Sequence, residues 1–132
     1  MSKEVSFKDI KAVYVDELHD NIYVGTHAGG MIVLNRRTGN QRFFNTQNSD
    51  LPSNNIYSIL SDGHGGLWIA SLGTLIHYDI AGNHFQTVDK DSKGKRLQES
   101  NSVLFRDSKK RIWAGGEMDL LFIIKQALSL NN

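Results

Sequence analysis

Three aspartates recur about every 45 residues, and each is followed by polar turn residues and then by an aromatic side chain: Asp16, Asp62 and Asp107. A carboxylate in such a position could act as a general acid or base, or bind a metal ion. Short Asp side chains at a hairpin bend more commonly accept hydrogen bonds from backbone N–H groups. We therefore predict a structural role in the turns for all three aspartates.

Five histidines are the other residues that could bind a metal ion or take part in catalysis: His19, His27, His64, His77 and His84. They lack the helical i, i+4 spacing and the neighbouring carboxylates of a metal site, and we interpret them as solvent-exposed turn residues. There is no cysteine, which excludes disulfides, thiolate catalysis and cysteine-ligated zinc. No catalytic residue, cofactor site or metal site is predicted for the chain.

Composition limits the classes of partner. Fifteen basic and 14 acidic residues give a net charge of +1, so no overall field attracts nucleic acid or a membrane surface, and we predict neither partner for this segment. The longest apolar run, residues 120–124, is far shorter than the roughly 20 residues that span a bilayer. The N-terminus lacks the apolar stretch of a secretory signal. Either the protein stays inside the cell or the chain is part of a longer one.

The elements that must position these residues are indicated by a repeat. Tyr23, Trp68 and Trp113 stand 45 residues apart, each entering a short run of β-forming residues. A period of 40 to 50 residues with strand-type content is typical of a β-propeller blade, which must stack on neighbouring blades to bury its apolar faces. The sequence predicts an all-β fragment of just under three four-stranded blades, with these approximate limits: blade 1 at 7–50, blade 2 at 51–97 and a partial blade 3 at 98–126.

Short β-rich runs between turn residues predict the individual strands. In the first repeat they cover residues 10–15, 22–26, 31–35 and 41–45. In the second they cover 56–61, 67–71, 74–79 and 84–88, and in the third 103–107, 111–115 and 120–124. No fourth strand is predicted for the third repeat.

The recurring aromatic position has two interpretations. Its rings could stack on a sugar, because aromatic faces offer broad apolar area. An identical position in every repeat should meet an identical environment, however, and this favours packing between blades. The small residue two positions after each ring, Gly25, Ala70 or Gly115, is predicted to allow close approach beside it.

The second repeat resembles a known family. Residues 51–71 read Leu-Pro-Ser-Asn-Asn-Ile-Tyr-Ser-Ile-Leu-Ser-Asp-Gly-His-Gly-Gly-Leu-Trp-Ile-Ala-Ser. This is similar to the two-component regulator propeller repeat, whose pattern is Leu-Pro, Ser/Asp-Asn, alternating apolar residues and then Asp-x-x-Gly-x-Leu/Ile-Trp-Ile/Val-Gly-Thr. The first repeat departs from that pattern with Tyr23 for the tryptophan, and the third with Lys110 in place of the turn glycine and Asn101 in place of Ile56.

The resemblance implies a function. Such repeats form the sensor region of bacterial hybrid two-component systems, especially in Bacteroides-type organisms, where propellers outside the inner membrane connect through a membrane helix to a histidine kinase and its phosphorelay. It therefore implies a periplasmic ligand-sensing module that responds to polysaccharide-derived ligands, with the kinase activity outside this segment. Two alternatives remain: a propeller lyase or hydrolase acting on glycans or peptides, and a purely structural propeller spacer.

Blade geometry divides the loops between two ends of the molecule. The loops between blades, together with those joining the second and third strands, share the end where propeller ligands tend to bind, and we look for specificity there. The candidate ligand-loop residues are Lys93, Lys95, Arg96 and His27. A positive loop at this end could meet a sulfated or uronic-acid glycan, and the alternative is an ordinary solvated loop. Arg36 and Arg37 fall at the opposite end.

Blade number also predicts partners. Propellers close with typically 4 to 8 blades, so a fragment of fewer than three leaves an apolar face uncovered at each end of the stack. In a longer parent, further blades would cover those faces. For the fragment we predict a homo-oligomer, formed through a cyclic ring, strand exchange or face-to-face pairing.

Overall fold

The computed structural model describes residues 9–71, 74–88 and 103–115, and the backbone of residues 120–122. These residues form eleven β-strands. The first four strands are β1 (Ile10–Asp16), β2 (Asn21–Thr26), β3 (Met31–Asn35) and β4 (Gln41–Phe44). The next four are β5 (Ser58–Ser61), β6 (Gly66–Ser71), β7 (Thr74–Asp79) and β8 (His84–Val88). The last three are β9 (Val103–Arg106), β10 (Ile112–Gly115) and β11 (Leu120–Phe122).

The strands form three antiparallel sheets, each built in chain order. Strands β1–β4 form one four-stranded sheet, β5–β8 a second, and β9–β11 a three-stranded sheet. We call them blade 1, blade 2 and blade 3. The predicted all-β class and four-stranded antiparallel repeat are confirmed. A fourth strand of blade 3 would fall outside the described residues, and the predicted blade limits stay a prediction.

Predicted and observed strands agree closely because turn residues bound them. The predictions for β3, β7 and β8 match the observed strands residue for residue. Among the strands whose predicted limits are described, the largest difference is at β5, predicted from Ile56 but beginning at Ser58. Residues 123 and 124 of the last predicted strand lie outside the described residues. The amide of Ile56 donates instead to the carbonyl of Thr26 in blade 1, at 2.8 Å. Ile56 therefore belongs to the link between the blades.

The turn before each aromatic strand keeps one conformation in all three repeats. Gly65 has a φ of +86°, and the residues at the equivalent positions, Asp20 and Lys110, have φ of +59° and +63°. This left-handed conformation favours glycine and is uncommon for a long side chain. The lysine that departs from the family pattern is therefore held in the glycine-like geometry.

Each blade has two faces, which we define by direction along the chain. The leading face points toward the preceding blade and the trailing face toward the following one. The first core joins the trailing face of blade 1, including Tyr23, to the leading face of blade 2, including Ile69. The second core joins the trailing face of blade 2, including Trp68, to Leu104, Ile112 and Ala114 on the leading face of blade 3. Strand β6 is buried at every position because both of its faces are covered.

The described residues contain no helix of the length and apolarity that crossing a membrane requires.

Candidate functional site

The acidic turn of blade 2 shows what the recurring aspartate does. Asp62 lies directly after β5, and its Oδ1 accepts hydrogen bonds from the amides of His64 and Gly66 at 2.6 and 2.9 Å. Asp107 repeats the arrangement after β9, accepting from the amides of Lys109 and Arg111, both at 2.9 Å. The predicted turn role is confirmed at both aspartates.

The second oxygen of Asp62 bonds a histidine. Its Oδ2 lies 2.7 Å from His77 Nε2, and the two side chains are 3% and 13% exposed. Burial alone would raise the pKa of Asp62, but hydrogen bonds from His77 and from the amides of His64 and Gly66 outweigh it and lower the pKa to about 2. The carboxylate is therefore ionised and fully engaged.

The interpretation of all five histidines as exposed turn residues is wrong for His77. It lies within β7, paired with Trp68 in the β6–β7 ladder, and its side chain is largely buried. His84 is exposed but also lies in a strand, β8. The remaining three, His19, His27 and His64, are exposed in turns as predicted.

In blade 3 the second oxygen has different partners. Asp107 Oδ2 accepts from Trp113 Nε1 at 2.9 Å and from Arg111 Nε at 2.7 Å. The bond from Trp113 is the largest cause that lowers the pKa of Asp107, and the bonds from Arg111 add to it. In blade 1, Asp16 bonds the exposed His19, whose Nδ1 lies 2.9 Å from Asp16 Oδ2. Each turn aspartate thus forms its side-chain hydrogen bonds with residues of its own blade.

The aromatic position packs between blades, as predicted. Tyr23 is fully buried in the first core and Trp68 is 1% exposed in the second. Burial raises the pKa of Tyr23 to about 12, with smaller contributions from Tyr78 and Asp16. Trp113 occupies the same position on the trailing face of blade 3 and is only half-buried.

The small residues beside the rings differ in what they approach. A Cβ at Gly25 would collide with the Ile56 side chain of the next blade, so close approach is required there. Ala70 is fully buried in the second core. Gly115 lies on the half-buried trailing face of blade 3.

His27 lies at the end of the molecule where the chain crosses from blade 1 to blade 2. We call this the crossing end; it comprises residues 27–30 and 45–57. The Nδ1 of His27 is 3.2 Å from the hydroxyl of Tyr57, and the two rings stack with centroids 6.3 Å apart and an angle of 29°. The pair presents an aromatic surface beside the start of β5.

The backbone beside His27 is held in an unusual conformation. Ala28 has a φ of +71°, a left-handed value that a residue with a Cβ seldom adopts. Its amide donates to Asn55 Oδ1 at 2.7 Å, which fixes the turn against the crossing loop. Strain of this kind concentrates at functional sites. The sequence indicates His27 and the crossing loop as ligand candidates, but it does not indicate Tyr57, which falls in a predicted strand.

Asparagine side chains hold the crossing loop. Asn45 Oδ1 accepts from the amides of Gln47 and Asn48, and Asn54 Oδ1 accepts from the amide of Thr46 at 2.9 Å. The carbonyl of Asn54 also accepts from the amide of Gly30 in blade 1, at 2.8 Å. These bonds satisfy backbone groups that no ladder reaches. The loop therefore provides a defined support for the His27–Tyr57 surface.

The other predicted ligand-loop residues stay a prediction. Lys93, Lys95 and Arg96 lie outside the described residues. At the opposite end, Arg36 is paired with Asp20 at 3.0 Å, with both side chains about two-fifths exposed.

A groove that sequence reasoning missed lies at the turn end, which comprises residues 17–20 and 62–65. Its volume is about 670 Å³, and its lining comes from the turns and neighbouring strands of blades 1 and 2, including Tyr14, His19, Gly65, Leu67 and Ile80. No sequence pattern indicates it because it forms only where two turns meet. The described residues contain no group of three or more His, Cys, Asp or Glu able to hold a metal ion.

The geometry is that of stacked propeller blades, and comparison with known proteins gives the same fold. Residues 50–73 match the family model described as two component regulator propeller. This segment runs from the end of the crossing loop through β5, the Asp62 turn and β6. The second repeat is therefore similar to a two-component regulator propeller repeat, which agrees with the resemblance seen in its sequence.

Solved structures with the same fold come from B. thetaiotaomicron. One, the extracellular domain of the proposed one component system BT4673, has a TM-score of 0.76 and 19% identity over 96% of this chain and 17% of its own. Another, the extracellular domain of the proposed hybrid two component system BT3049, has a TM-score of 0.71 and 18% identity over 89% of this chain and 16% of its own. This chain spans about a sixth of their length.

A more distant structure is the hemopexin fold protein CP4 from cow pea, with a TM-score of 0.55 and 12% identity over 89% of this chain and 63% of its own. The search of curated proteins finds no match. At these identities the structural likeness establishes the propeller fold.

Proposed function

We propose that this chain is part of the ligand-sensing propeller of a bacterial two-component system. In that assignment the propeller lies outside the cytoplasm, and ligand binding biases a histidine kinase elsewhere in the parent protein. The chain itself is an interaction module, and phosphoryl transfer falls outside it.

The observation that carries this proposal is the family match at residues 50–73. The matched segment includes β6, which is buried at every position, with Trp68 and Ile69 at 1% and 0% exposure. The likeness to extracellular domains of proposed one- and two-component systems adds support through the fold.

The proposed ligand surface is the His27–Tyr57 pair at the crossing end. The stacked rings of His27, which is exposed, and Tyr57, which is half-buried, offer an apolar plane with polar edges, which is the chemistry that a sugar ring needs. Ala28 and Asn55 hold the pair in place at the junction of two blades. We assign polysaccharide-derived oligosaccharides as the ligand class, with anionic members favoured if Lys93, Lys95 and Arg96 contribute.

The proposal assigns no catalysis to this chain. Asp62 and Asp107, the carboxylates with lowered pKa, each accept two backbone bonds and at least one side-chain bond. A carboxylate held ionised in this way is poorly suited to donate a proton near neutral pH. These groups stabilise turns.

Ligand-observed NMR with defined oligosaccharides tests the proposal. The probes are a neutral xylan fragment, an oligogalacturonide and a chondroitin sulfate disaccharide. We expect one of these to bind, with His27→Ala or Tyr57→Ala weakening binding at least about tenfold. The matched control is His64→Ala, an exposed histidine at the opposite end. The triple variant Lys93→Ala, Lys95→Ala, Arg96→Ala should weaken only the anionic probes. Binding that survives the His27 and Tyr57 variants would refute the assigned surface.

A further inference from the structure

Blade 1 carries a second groove, which the proposed function does not use. Its volume is about 530 Å³, and every lining residue except Val33 is polar. We call it the amide groove; its lining includes Asn21, Asn35, Asn40 and Arg42. Arg42 stands opposite Val33 in the β3–β4 ladder, so the groove lies on the trailing face of blade 1. Blade 2 of the same chain follows this face, and the groove therefore does not arise where the chain begins or ends.

Arg42 supplies the positive charge of the amide groove. Its side chain is exposed, and the guanidinium carbon lies 5.4 Å from the centroid of the Phe44 ring. Burial raises the pKa of Tyr78 in blade 2, and the nearby charge of Arg42 opposes that rise. Among the described residues Arg42 forms no ion pair, whereas Arg36 is paired with Asp20. Aromatic packing thus positions a guanidinium group for which this part of the chain provides no anion.

The asparagines beside Arg42 divide into a fixed wall and an available group. Asn35 Oδ1 accepts from the amides of Arg37 and Thr38, and Asn35 Nδ2 donates to Asn21 Oδ1 at 3.0 Å. Asn40 takes part through its backbone, and its side chain forms no hydrogen bond among the described residues. The groove therefore has a rigid side at Asn35 and an amide side chain at Asn40 that can bond a ligand.

Tyr23 places an unpaired polar group near Arg42. Its side chain is fully buried, and within the described part of the chain its hydroxyl forms no hydrogen bond of normal length and angle. Burial raises the pKa of Tyr23 to about 12, and the charge of Arg42 opposes that rise. Buried polar groups are nearly always paired in native structures. An unpaired hydroxyl beside a polar groove is consistent with a partner that is not part of the chain.

The repeat shows that the amide groove is specific to blade 1. In the corresponding ladders of blade 2, Gly66 stands in the place of Asn21 and Gln86 in the place of Arg42. The space beside Gly66 is filled by the turn aspartate and by the histidine that bonds it. Positions that serve only the stacking of blades should be alike in neighbouring repeats. A polar set confined to one blade therefore indicates a role of that blade.

We propose that the amide groove binds the carboxylate group of a small polar ligand. The planar guanidinium of Arg42 can donate two parallel hydrogen bonds to the two carboxylate oxygens. Asn40 can bond another polar group of the same ligand. One cation matches one negative charge, which favours a carboxylate over a doubly charged phosphate. The groove lies at the opposite end of blade 1 from His27, so this site is independent of the proposed ligand surface.

NMR titration of the chain tests the site with three probes: galacturonate, succinate and galactose. Either acid should shift the side-chain Nε–H resonance of Arg42, with a dissociation constant on the order of 1 mM. Galactose, which has no carboxylate, should not shift it. Tighter binding of galacturonate would identify a sugar acid as the source of the carboxylate, and tighter binding of succinate a simple organic acid. Both results support the site.

Substitutions locate the binding, followed through the backbone amide resonances of β4. Arg42→Gln introduces the residue that blade 2 has at this place and should weaken binding of the acid at least about tenfold, because it removes the charged donor. Arg42→Lys keeps the charge without the planar fork and should fall between that variant and the parent. Asn40→Ala leaves the contact of Arg42 with Phe44 intact and should weaken binding about threefold.

Two controls and three results decide the outcome. Arg37→Gln removes a charge from the adjacent turn, outside the groove, and His27→Ala alters the other end of blade 1; both should bind the acid like the parent. The proposal would be overturned by an Arg42→Gln variant that stays folded and binds like the parent. An equal loss of binding in Arg37→Gln would also overturn it, as would the absence of any shift with either acid up to about 20 mM.

Discussion

Blades 2 and 3 carry the same motif and complete it differently. In both, an aspartate precedes a tryptophan by six residues and accepts two backbone bonds through Oδ1. In blade 3 the second oxygen of the aspartate, Oδ2, accepts a hydrogen bond from the indole N–H of Trp113, as well as one from Arg111 Nε. In blade 2 it accepts from His77 instead, and Trp68 Nε1 has no hydrogen-bond partner among the described residues.

The strand opposite the tryptophan explains the difference. His77 pairs with Trp68 in the ladder, and the corresponding partner of Trp113 is Phe122. A histidine can donate to the carboxylate and a phenylalanine cannot. The His77 ring then meets Trp68 edge-on, with centroids 4.7 Å apart. The repeat therefore determines where the ring packs, and one neighbouring residue determines which group bonds the aspartate.

The two tryptophans also differ in how deeply they are buried. Trp68 is 1% exposed beneath blade 3, whereas Trp113 is half-buried on a face with no following blade among the described residues. The same residue at the same position should therefore make unequal contributions to stability.

The largest predicted effect is the difference in stability between the alanine variants of the two tryptophans. Trp68→Ala should lower the free energy of unfolding by about 3 to 5 kcal/mol, because it leaves a cavity between two blades. Trp113→Ala should cost about 1 to 2 kcal/mol, since that ring is less buried than Trp68. Urea unfolding of both variants measures the difference. Equal losses would contradict the assignment of Trp68 as the covered member of the pair.

Acid unfolding tests the carboxylate of blade 2. The pKa of Asp62 is lowered from 3.8 to about 2, so its contribution is fully present above pH 3.8 and is lost as the pH falls through about 2. The loss should be about 2 kcal/mol. Asp62→Asn should lower the free energy of unfolding at pH 7, and the free energy of unfolding of this variant should fall less steeply as the pH drops below 3.8. If this variant loses stability in acid as steeply as the unmodified chain, Asp62 is not held ionised by the fold.

Exchanging the opposing residue should convert one arrangement into the other, with the smallest effect. His77→Phe removes the competing donor, so Trp68 Nε1 should bond Asp62 Oδ2 as Trp113 bonds Asp107. The stability change should stay within about 1 kcal/mol, as one buried hydrogen bond replaces another. The indole N–H resonance of Trp68 should move downfield toward that of Trp113. A resonance that does not move would mean that the opposing residue does not control the bond.

Much of the fold follows from the sequence because the repeat supplies the same information three times. Turn residues bound the strands, so β3, β7 and β8 were predicted residue for residue. The turn role of Asp62 followed from local chemistry that spans four residues.

The site was less predictable because its contacts join distant residues. Asp62 and His77 are 15 residues apart, and His27 and Tyr57 are 30 apart, so no local pattern connects either pair. The interpretation of His77 as an exposed turn residue is wrong because the sequence does not show which strand faces the turn aspartate. The groove at the turn end depends on the stagger between two blades, which spacing alone does not specify.

Acrylamide quenching of single-tryptophan variants tests the central claim that each blade covers the aromatic ring of the one before it. Trp113→Phe leaves Trp68 as the only indole, and Trp68→Phe leaves Trp113. In dilute solution Trp68 should emit at short wavelength and resist quenching, whereas Trp113 should emit at a longer wavelength than Trp68 and be quenched more readily. Equal quenching of the two rings in well-folded variants would contradict the blade stacking described.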